Sequence, residues 1–207
     1  EITYGDWSSD VCSSDLTTPY RKHDHVVLEL EAGRQLRFHD PRRFGCVLLV
    51  KEPVNHPLIR NLGPEPLTNE FNADYLWAAL RRKKANIKPA IMDARLVVGV
   101  GNIYACEVLF MAGISPRKAA GKVGRPAVGK LVTAIKTVLT ASIEMGGTTL
   151  RDFSRENGEP GYFKQTLRVY DRAGEPCRAC GSKVKRIVQG ARSTFRSEEH
   201  TSELQSP

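Results

Sequence analysis

A Pro-rich connector over residues 53–66 separates two stretches of different hydrophobic period, and a chain that changes period in this way is neither all-α nor all-β. Before the connector, residues 26–30 and 35–39 read as strands flanking the turn-like Glu31-Ala32-Gly33-Arg34, which predicts a hairpin. Asp40-Pro41 breaks the second strand, and the apolar run over 45–50 predicts a third, more buried one. After the connector, Asn72 is placed to cap a helix with Leu76 and Leu80 four apart, ending in Arg81-Arg82-Lys83-Lys84 where cations suit the helix dipole. Lys88-Pro89 predicts a short helix with Pro at its first position. Gly99-Val100-Gly101-Asn102 leads into another helix, with Ile103, Glu107 and Phe110 along one face and Gly113 near its end. In the longest, Val128, Leu131, Val132, Ile135, Val138, Leu139 and Ser142 follow the helical repeat until Gly146-Gly147 stops it. A long Gly/Pro-bearing loop follows, then residues 166–170 as a strand. The fold class predicted is α+β.

Residues 1–21 and 197–207 are polar and aperiodic, so both are expected to be disordered or foreign to the native gene. The five cysteines are unevenly spaced and no leader peptide is visible, which argues against a secreted disulfide scaffold and for a cytoplasmic protein. Cys46 and Cys106 lie in apolar surroundings and read as core thiols. No apolar run approaches the roughly 20 residues of a membrane span, so no membrane partner is expected. Lys and Arg outnumber Asp and Glu by 31 to 23, a formal charge of +8. An excess of that size favours a polyanion, because each phosphate neutralised releases condensed counterions.

Three motifs bear on chemistry. Cys177-Arg178-Ala179-Cys180-Gly181 is half of a zinc ribbon: two thiolates two residues apart bind one Zn²⁺ through a tight turn that Gly181 permits. A full ribbon needs a second pair about 15–20 residues on. Ser197 and His200 stand there, so Cys177, Cys180 and His200 are at most three ligands and the site is incomplete. Asp40-Pro41-Arg42-Arg43-Phe44-Gly45 is either a plain turn with Phe44 tucked into the core, or a loop presenting Arg and Phe to a duplex as a wedge. Gly99-Val100-Gly101-Asn102 opens a helix, and exposed amides at a helix start bind phosphate, with Lys83, Lys84 and Lys88 just upstream.

Together and in this order, these pieces resemble the formamidopyrimidine-DNA glycosylases. The matching stretches include Lys22-His23-Asp24-His25, Asp40-Pro41-Arg42-Arg43-Phe44-Gly45, Leu62-Gly63-Pro64-Glu65-Pro66-Leu67, Ile87-Lys88-Pro89 and Gly99-Val100-Gly101-Asn102-Ile103-Tyr104-Ala105. They continue through Gly146-Gly147-Thr148-Thr149-Leu150-Arg151-Asp152-Phe153, Gly158-Glu159-Pro160-Gly161-Tyr162-Phe163 and Gly174-Glu175-Pro176-Cys177, so the likeness runs over about residues 22–195. The resemblance implies the remainder of an N-terminal β-sandwich over 22–66, a helix-two-turn-helix domain with a lesion-recognition loop over 67–165, and an incomplete zinc hairpin over 166–196. It implies a monomer acting on double-stranded DNA with an oxidised purine or an abasic site, excising the base and cleaving the strand, with Zn²⁺ as structural cofactor. His23 and Lys83 match DNA contacts, Arg42 and Phe44 the residues that fill the gap left by a flipped nucleotide, and Lys88 and Asn102 the phosphate clamp. Arg151 belongs to the loop, ending at Phe163, that closes over the oxidised base. Arg192 matches the hairpin arginine that grips phosphate and donates a proton in the late elimination.

Members of that family begin with a proline whose amine attacks the sugar. No residue here matches it, so a polypeptide starting at Glu1 is expected to lack the nucleophile and to be inactive. Two alternatives stand beside the leading reading: a non-catalytic damaged-DNA-binding module, and an endonuclease VIII-like glycosylase for oxidised pyrimidines, against which the loop and the Arg-Arg-Phe sequence speak.

Overall fold

The computed structural model describes residues 10–15, 19–41, 43–145 and 166–201. The chain divides into two compact units, Glu1–Pro53 with Met145–Lys164, and Val54–Glu144 with Gln165–Pro207.

In the first unit, β1 (Asp10–Asp15), β2 (Asp24–Leu30) and β3 (Arg34–His39) form an antiparallel sheet in the order β1-β3-β2. The predicted β2–β3 hairpin is present, its strands joined by a turn of 3₁₀ helix at Glu31–Gly33. Gly33 takes φ of 71°, a left-handed backbone that glycine adopts without a Cβ clash. Residues 1–21 carry no hydrophobic period, yet Asp10–Asp15 pair along the whole of β3, with Asp10 opposite His39 and Asp15 opposite Arg34. Strand pairing of this kind is set by the partner's free edge, which no local period reports.

The strand predicted over 45–50 does not form. With β3 flanked on both sides, that run has no strand beside it among the described residues, and Val47, Leu48 and Leu49 are exposed. Cys46 is exposed as well, against the expectation of a core thiol, whereas Cys106 is buried. Deeper in the sheet, Arg37 is buried beside Asp24 at 3.7 Å, donates to the Pro19 carbonyl at 2.9 Å, and sits 4.8 Å from the centre of the Tyr20 ring.

The second unit is helical with a C-terminal hairpin. Its helices are α1 (Ala73–Leu80), α2 (Ile87–Ile91), α3 (Asn102–Met111) and α4 (Arg125–Glu144). Asn72 caps α1 as predicted, its side chain accepting from the Tyr75 N–H at 3.0 Å. In α2 the helix starts at Ile87, so Pro89 is its third residue and not its first. That position costs little, because the amide a proline lacks has no partner in a first turn.

α4 corrects the expectation that no segment has the length and apolarity of a membrane span. Its apolar stripe is covered by the unit itself: Val128, Leu131, Ile135, Val138 and Leu139 are buried, and the helix packs on α1 and α3 while Lys130 stays exposed. Leu76 and Leu80 of α1 and Leu109 of α3 are buried as well, on the two helices that α4 packs against. α3 is buried from Tyr104 to Phe110, and the Tyr104 hydroxyl lies 2.6 Å from that of Ser142. Gly63 lies so close to Leu96 that a Cβ would fall 2.5 Å from its carbonyl carbon, which holds the later part of the connector against the turn leading to α3.

β4 (Lys185–Gln189) and β5 (Arg192–Arg196) make a two-stranded hairpin. The strand predicted over 166–170 is absent, and the reason is chemical. Glu107, buried in α3, takes the amides that a sheet ladder would have used: Oε2 accepts from the Arg168 N–H at 2.8 Å, and Oε1 from those of Val169 and Tyr170 at 2.9 Å each. Cys106 and Phe110 of α3 then pack with Val169, Cys177, Val184 and Phe195 in a second apolar cluster that fastens the hairpin to the helix.

Candidate nucleic-acid interface

α3 begins without a side-chain cap. Gly101 is its N-cap, with no side chain to occupy the first amides, and a Cβ at Gly101 would meet nothing within 4 Å. Gly99, with φ of 80°, turns the backbone just ahead of it. The start of a helix with free amides and open space before it carries partial positive charge.

Lys88 of α2 lies beside that start. It is 1% exposed, and its Nζ donates to Asn102 Oδ1 at 2.5 Å. The Asn102 amide nitrogen in turn donates to the Ser193 carbonyl at 3.1 Å and lies 3.5 Å from the Tyr170 hydroxyl. One asparagine therefore ties a buried ammonium on α2 to the hairpin. Burial holds the Lys88 pKa below its ordinary value; the neighbouring Cys106 thiol opposes that shift and the Arg192 cation adds to it. The same burial, with Glu107 adding to it, pushes the Cys106 thiol up to about 11 against the pull of Lys88, so it is a neutral core thiol.

Lys88, Pro89 and Met92 from the α2 segment face Gln189, Gly190 and Arg192 from the hairpin tip across an open cleft. Two cations and no carboxylate line it. An anion entering there would meet an ammonium short of hydrogen-bond acceptors and a guanidinium that offers a fork of donors. Three residues singled out in the sequence, Lys88, Asn102 and Arg192, are thus brought together. Lys83 is half-buried and does not line the cleft.

In the first unit, the Asp40–Gly45 turn is held from inside. The buried Asp40 carboxylate accepts from the Gly45 N–H at 2.8 Å, and Arg43 takes φ of 55°, rare for a residue with a Cβ. The result leaves Phe44 65% exposed, which rejects the plain turn with a tucked ring. Arg42 lies outside the described residues, as do Arg151 and the loop over 147–163. His23 is half-buried, its ring 6.3 Å from that of His25 and 5.9 Å from that of His39.

Of the proposed metal ligands, the Cys177 and Cys180 thiols lie within hydrogen-bond reach of each other, but the His200 ring is stacked elsewhere. Cys177 is buried and Cys180 exposed, with Cys180 Sγ 3.0 Å from the Ser182 hydroxyl and 3.2 Å from that of Ser197. Hydrogen bonds from Ser182 and then Ser197 pull the Cys180 thiol down to about 7. The His200 ring lies 4.4 Å from the Phe110 ring, an aromatic contact. Among the described residues no group of three or more His, Cys, Asp or Glu side chains is gathered as a metal site. The hydroxyl beside Cys180 is a poor zinc donor, so this ligand set does not fit tetrahedral Zn²⁺.

Two residues of the site escaped the sequence reading. Glu107 belongs to no motif, and its one signal is that of an acid inside an apolar run, which marks buried hydrogen-bonding work. Gln189 carried no signal at all.

Comparison with known proteins places this geometry. The profile described as "Formamidopyrimidine-DNA glycosylase H2TH domain" matches residues 62–154, and that of the "Formamidopyrimidine-DNA glycosylase N-terminal domain" residues 4–47. A formamidopyrimidine-DNA glycosylase of Thioalkalivibrio sulfidiphilus is 56% identical over 178 residues, covering 86% of this chain and 66% of the relative. One from Alteromonas mediterranea is 52% identical over 181 residues, covering 87% and 67%. The chain thus spans about two thirds of the length of the curated relatives it matches. Among solved structures, a Lactococcus lactis Fpg variant in complex with Fapy-dG-containing DNA superposes with a TM-score of 0.86 at 30% identity, over 96% of this chain and 73% of the other. The MutM (Fpg) protein of Thermus thermophilus gives 0.83 at 35% identity, over 96% and 77%.

Proposed function

Since the chain belongs to the formamidopyrimidine-DNA glycosylase family, we propose that it grips duplex DNA at an oxidised purine or an abasic site and serves base-excision repair of that lesion. The observation that carries this reading is the cleft in which buried Lys88, tied to Asn102, faces Arg192. A phosphate seated there restores the neutralisation that burial denies Lys88. The hairpin, the α2 segment and the start of α3 are cross-linked by Asn102, so the donors are in position before DNA arrives.

Excision and strand cleavage are the activity we assign to the family's full architecture. In it, Arg192 assists the elimination that follows base removal. A guanidinium stays protonated at physiological pH, so what it supplies is charge and hydrogen bonds to the departing phosphate oxygen. Phe44, exposed at a turn braced by Asp40, is read as the wedge that fills the space of an extruded nucleotide, a role the family resemblance also gives Arg42. His23 and Lys83 are read as further backbone contacts, and the loop with Arg151 as the cover over the base. The relatives named above are bacterial, which supports work in the cytoplasm on the chromosome.

The test is fluorescence anisotropy of the 207-residue chain on a duplex with a central abasic analogue and on its undamaged counterpart. Tighter binding to the lesion is expected, with log K falling linearly in log salt by about 0.9 per phosphate held. Equal affinity for both duplexes together with indifference to salt would refute the reading.

The hairpin is proposed to stand without zinc. Its apolar contacts with α3 and the three amides held by Glu107 supply the cohesion that a metal gives a bare ribbon. Adding EDTA should leave the melting temperature unchanged, and metal analysis should return far less than one zinc per chain. A drop of several degrees on chelation would show that a metal is holding the hairpin after all.

A further inference from the structure

The hairpin tip carries a side chain that the phosphate contact leaves unused. Gln189 and Arg192 face each other in the β4–β5 register and close a two-residue turn. Gly190 and Ala191 take φ of 55° and 59°, the two left-handed residues of a type I′ turn. Residues opposed across an antiparallel pair share one face with their Cβ atoms about 5 Å apart. Both side chains accordingly line the cleft with Lys88.

The Gln189 amide is oriented by its surroundings. Nε2 donates to the Pro116 carbonyl at 3.1 Å, and the oxygen cannot take that place because two acceptors would meet. Oε1 is therefore turned the other way, buried and without a hydrogen-bond partner among the described residues. A buried acceptor in that condition is unfavourable until a donor reaches it. Lys88 Nζ donates to Asn102 and makes no bond to this oxygen, while Arg192 stands exposed in the same cleft. A guanidinium has five N–H groups, enough for two to face a phosphate as a fork while another turns to an amide oxygen.

We infer that Gln189 is a positioning residue for Arg192: when a DNA phosphate draws the guanidinium over the cleft, Gln189 Oε1 accepts one of its N–H groups and fixes the plane of the fork. This rests on the phosphate-clamp reading above. Gln189 itself touches no DNA. The Pro116 bond aims its oxygen, the type I′ turn sets it opposite Arg192, and the orphaned acceptor is satisfied only in the loaded state.

A double-mutant cycle on the full chain tests this, with Gln189→Met, Arg192→Ala and the pair measured on the abasic-analogue duplex across a salt series, and melting followed in parallel. Gln189→Met is expected to weaken binding about tenfold in the parent and by less than about twofold once Arg192 is gone. Equal losses in both backgrounds, accompanied by a lower melting temperature, would mean that Gln189 only docks the hairpin on Pro116, and the inference would be wrong. Should Gln189→Met fail to fold, Gln189→Asn serves the same cycle, since it keeps both polar atoms but is one methylene too short to reach both partners. A large loss with Arg192→Ala and none with Gln189→Met overturns this inference alone. No loss with either Lys88→Ala or Arg192→Ala overturns the clamp itself, and the inference with it.

Discussion

Replacing Lys88 by methionine should make the free protein harder to unfold and a much poorer ligand for DNA. Methionine fills a similar volume and carries no charge to desolvate, so even with the Asn102 oxygen left without its donor the free chain should gain about 1 kcal/mol in urea unfolding. The same variant loses a charge-assisted contact to phosphate, worth about ten- to a hundredfold in affinity, and its salt slope should be shallower by about 0.9. The pH dependence follows from the direction of the Lys88 shift. Burial puts its native pKa below the ordinary 10.5, so between those two values the unfolded chain holds a proton that the native one has released. Parent stability should therefore climb with pH through that window, while DNA affinity, which needs the ammonium, should fall. Lys88→Met should flatten this part of both profiles. A variant that is less stable than the parent, and binds DNA as well, would show that Lys88 is a packing residue and nothing more.

Glu107→Ala should act in the opposite sense, on the scaffold first. The carboxylate receives the amides of Arg168, Val169 and Tyr170, and truncation takes that acceptor from the buried Val169 amide and from the part-buried amides on either side of it. At about 1–3 kcal/mol for each stranded amide, partly relieved by entering water, the expected loss is roughly 3–5 kcal/mol. That is a large share of the stability of an ordinary domain. Glu107→Gln should recover only part of it, since its nitrogen would be set against one of the same N–H groups. Because Asn102 meets Ser193 across this junction, DNA binding should weaken along with stability in both variants. Urea unfolding that shows a loss under about 1 kcal/mol for Glu107→Ala would mean the three amides find other partners at little cost.

How much of this was legible beforehand divides along the range of the interactions. The Asn72 cap, the stripe of α4 and the β2–β3 hairpin are written in neighbours a few residues apart, and all three formed where the sequence placed them. The two failed strands both have strand-forming residues, as a continuous apolar run over 45–50 and in alternation over 166–170. The first found no edge to pair with, and the second gave its amides to an acid some sixty residues earlier in the chain. The candidate site shows the same split. Lys88, Asn102 and Arg192 stood out through motif context, and the fold gathered them. His200 stands at ligand spacing from Cys180, but its ring turns to Phe110 because an imidazole beside a buried aromatic gains contact without a metal. Gln189 takes its meaning from a carbonyl at Pro116 and from a turn that sets it opposite Arg192, neither of which a local pattern reveals.

The side chain of Asn102 has a direction. Its oxygen serves a cation and its nitrogen serves a carbonyl, so neither an acid nor an alcohol can replace it without leaving one neighbour unserved. Hydrolysis of that one amide, a change that alters neither size nor outline, would set a lone pair against the Ser193 carbonyl and plant an anion where the cleft is to receive one. Chemical ageing at a single atom would then be enough to disarm the grip while the protein around it stayed folded, and α3, whose first turn carries that amide, is the rigid frame that shields it from the backbone rearrangement such ageing requires.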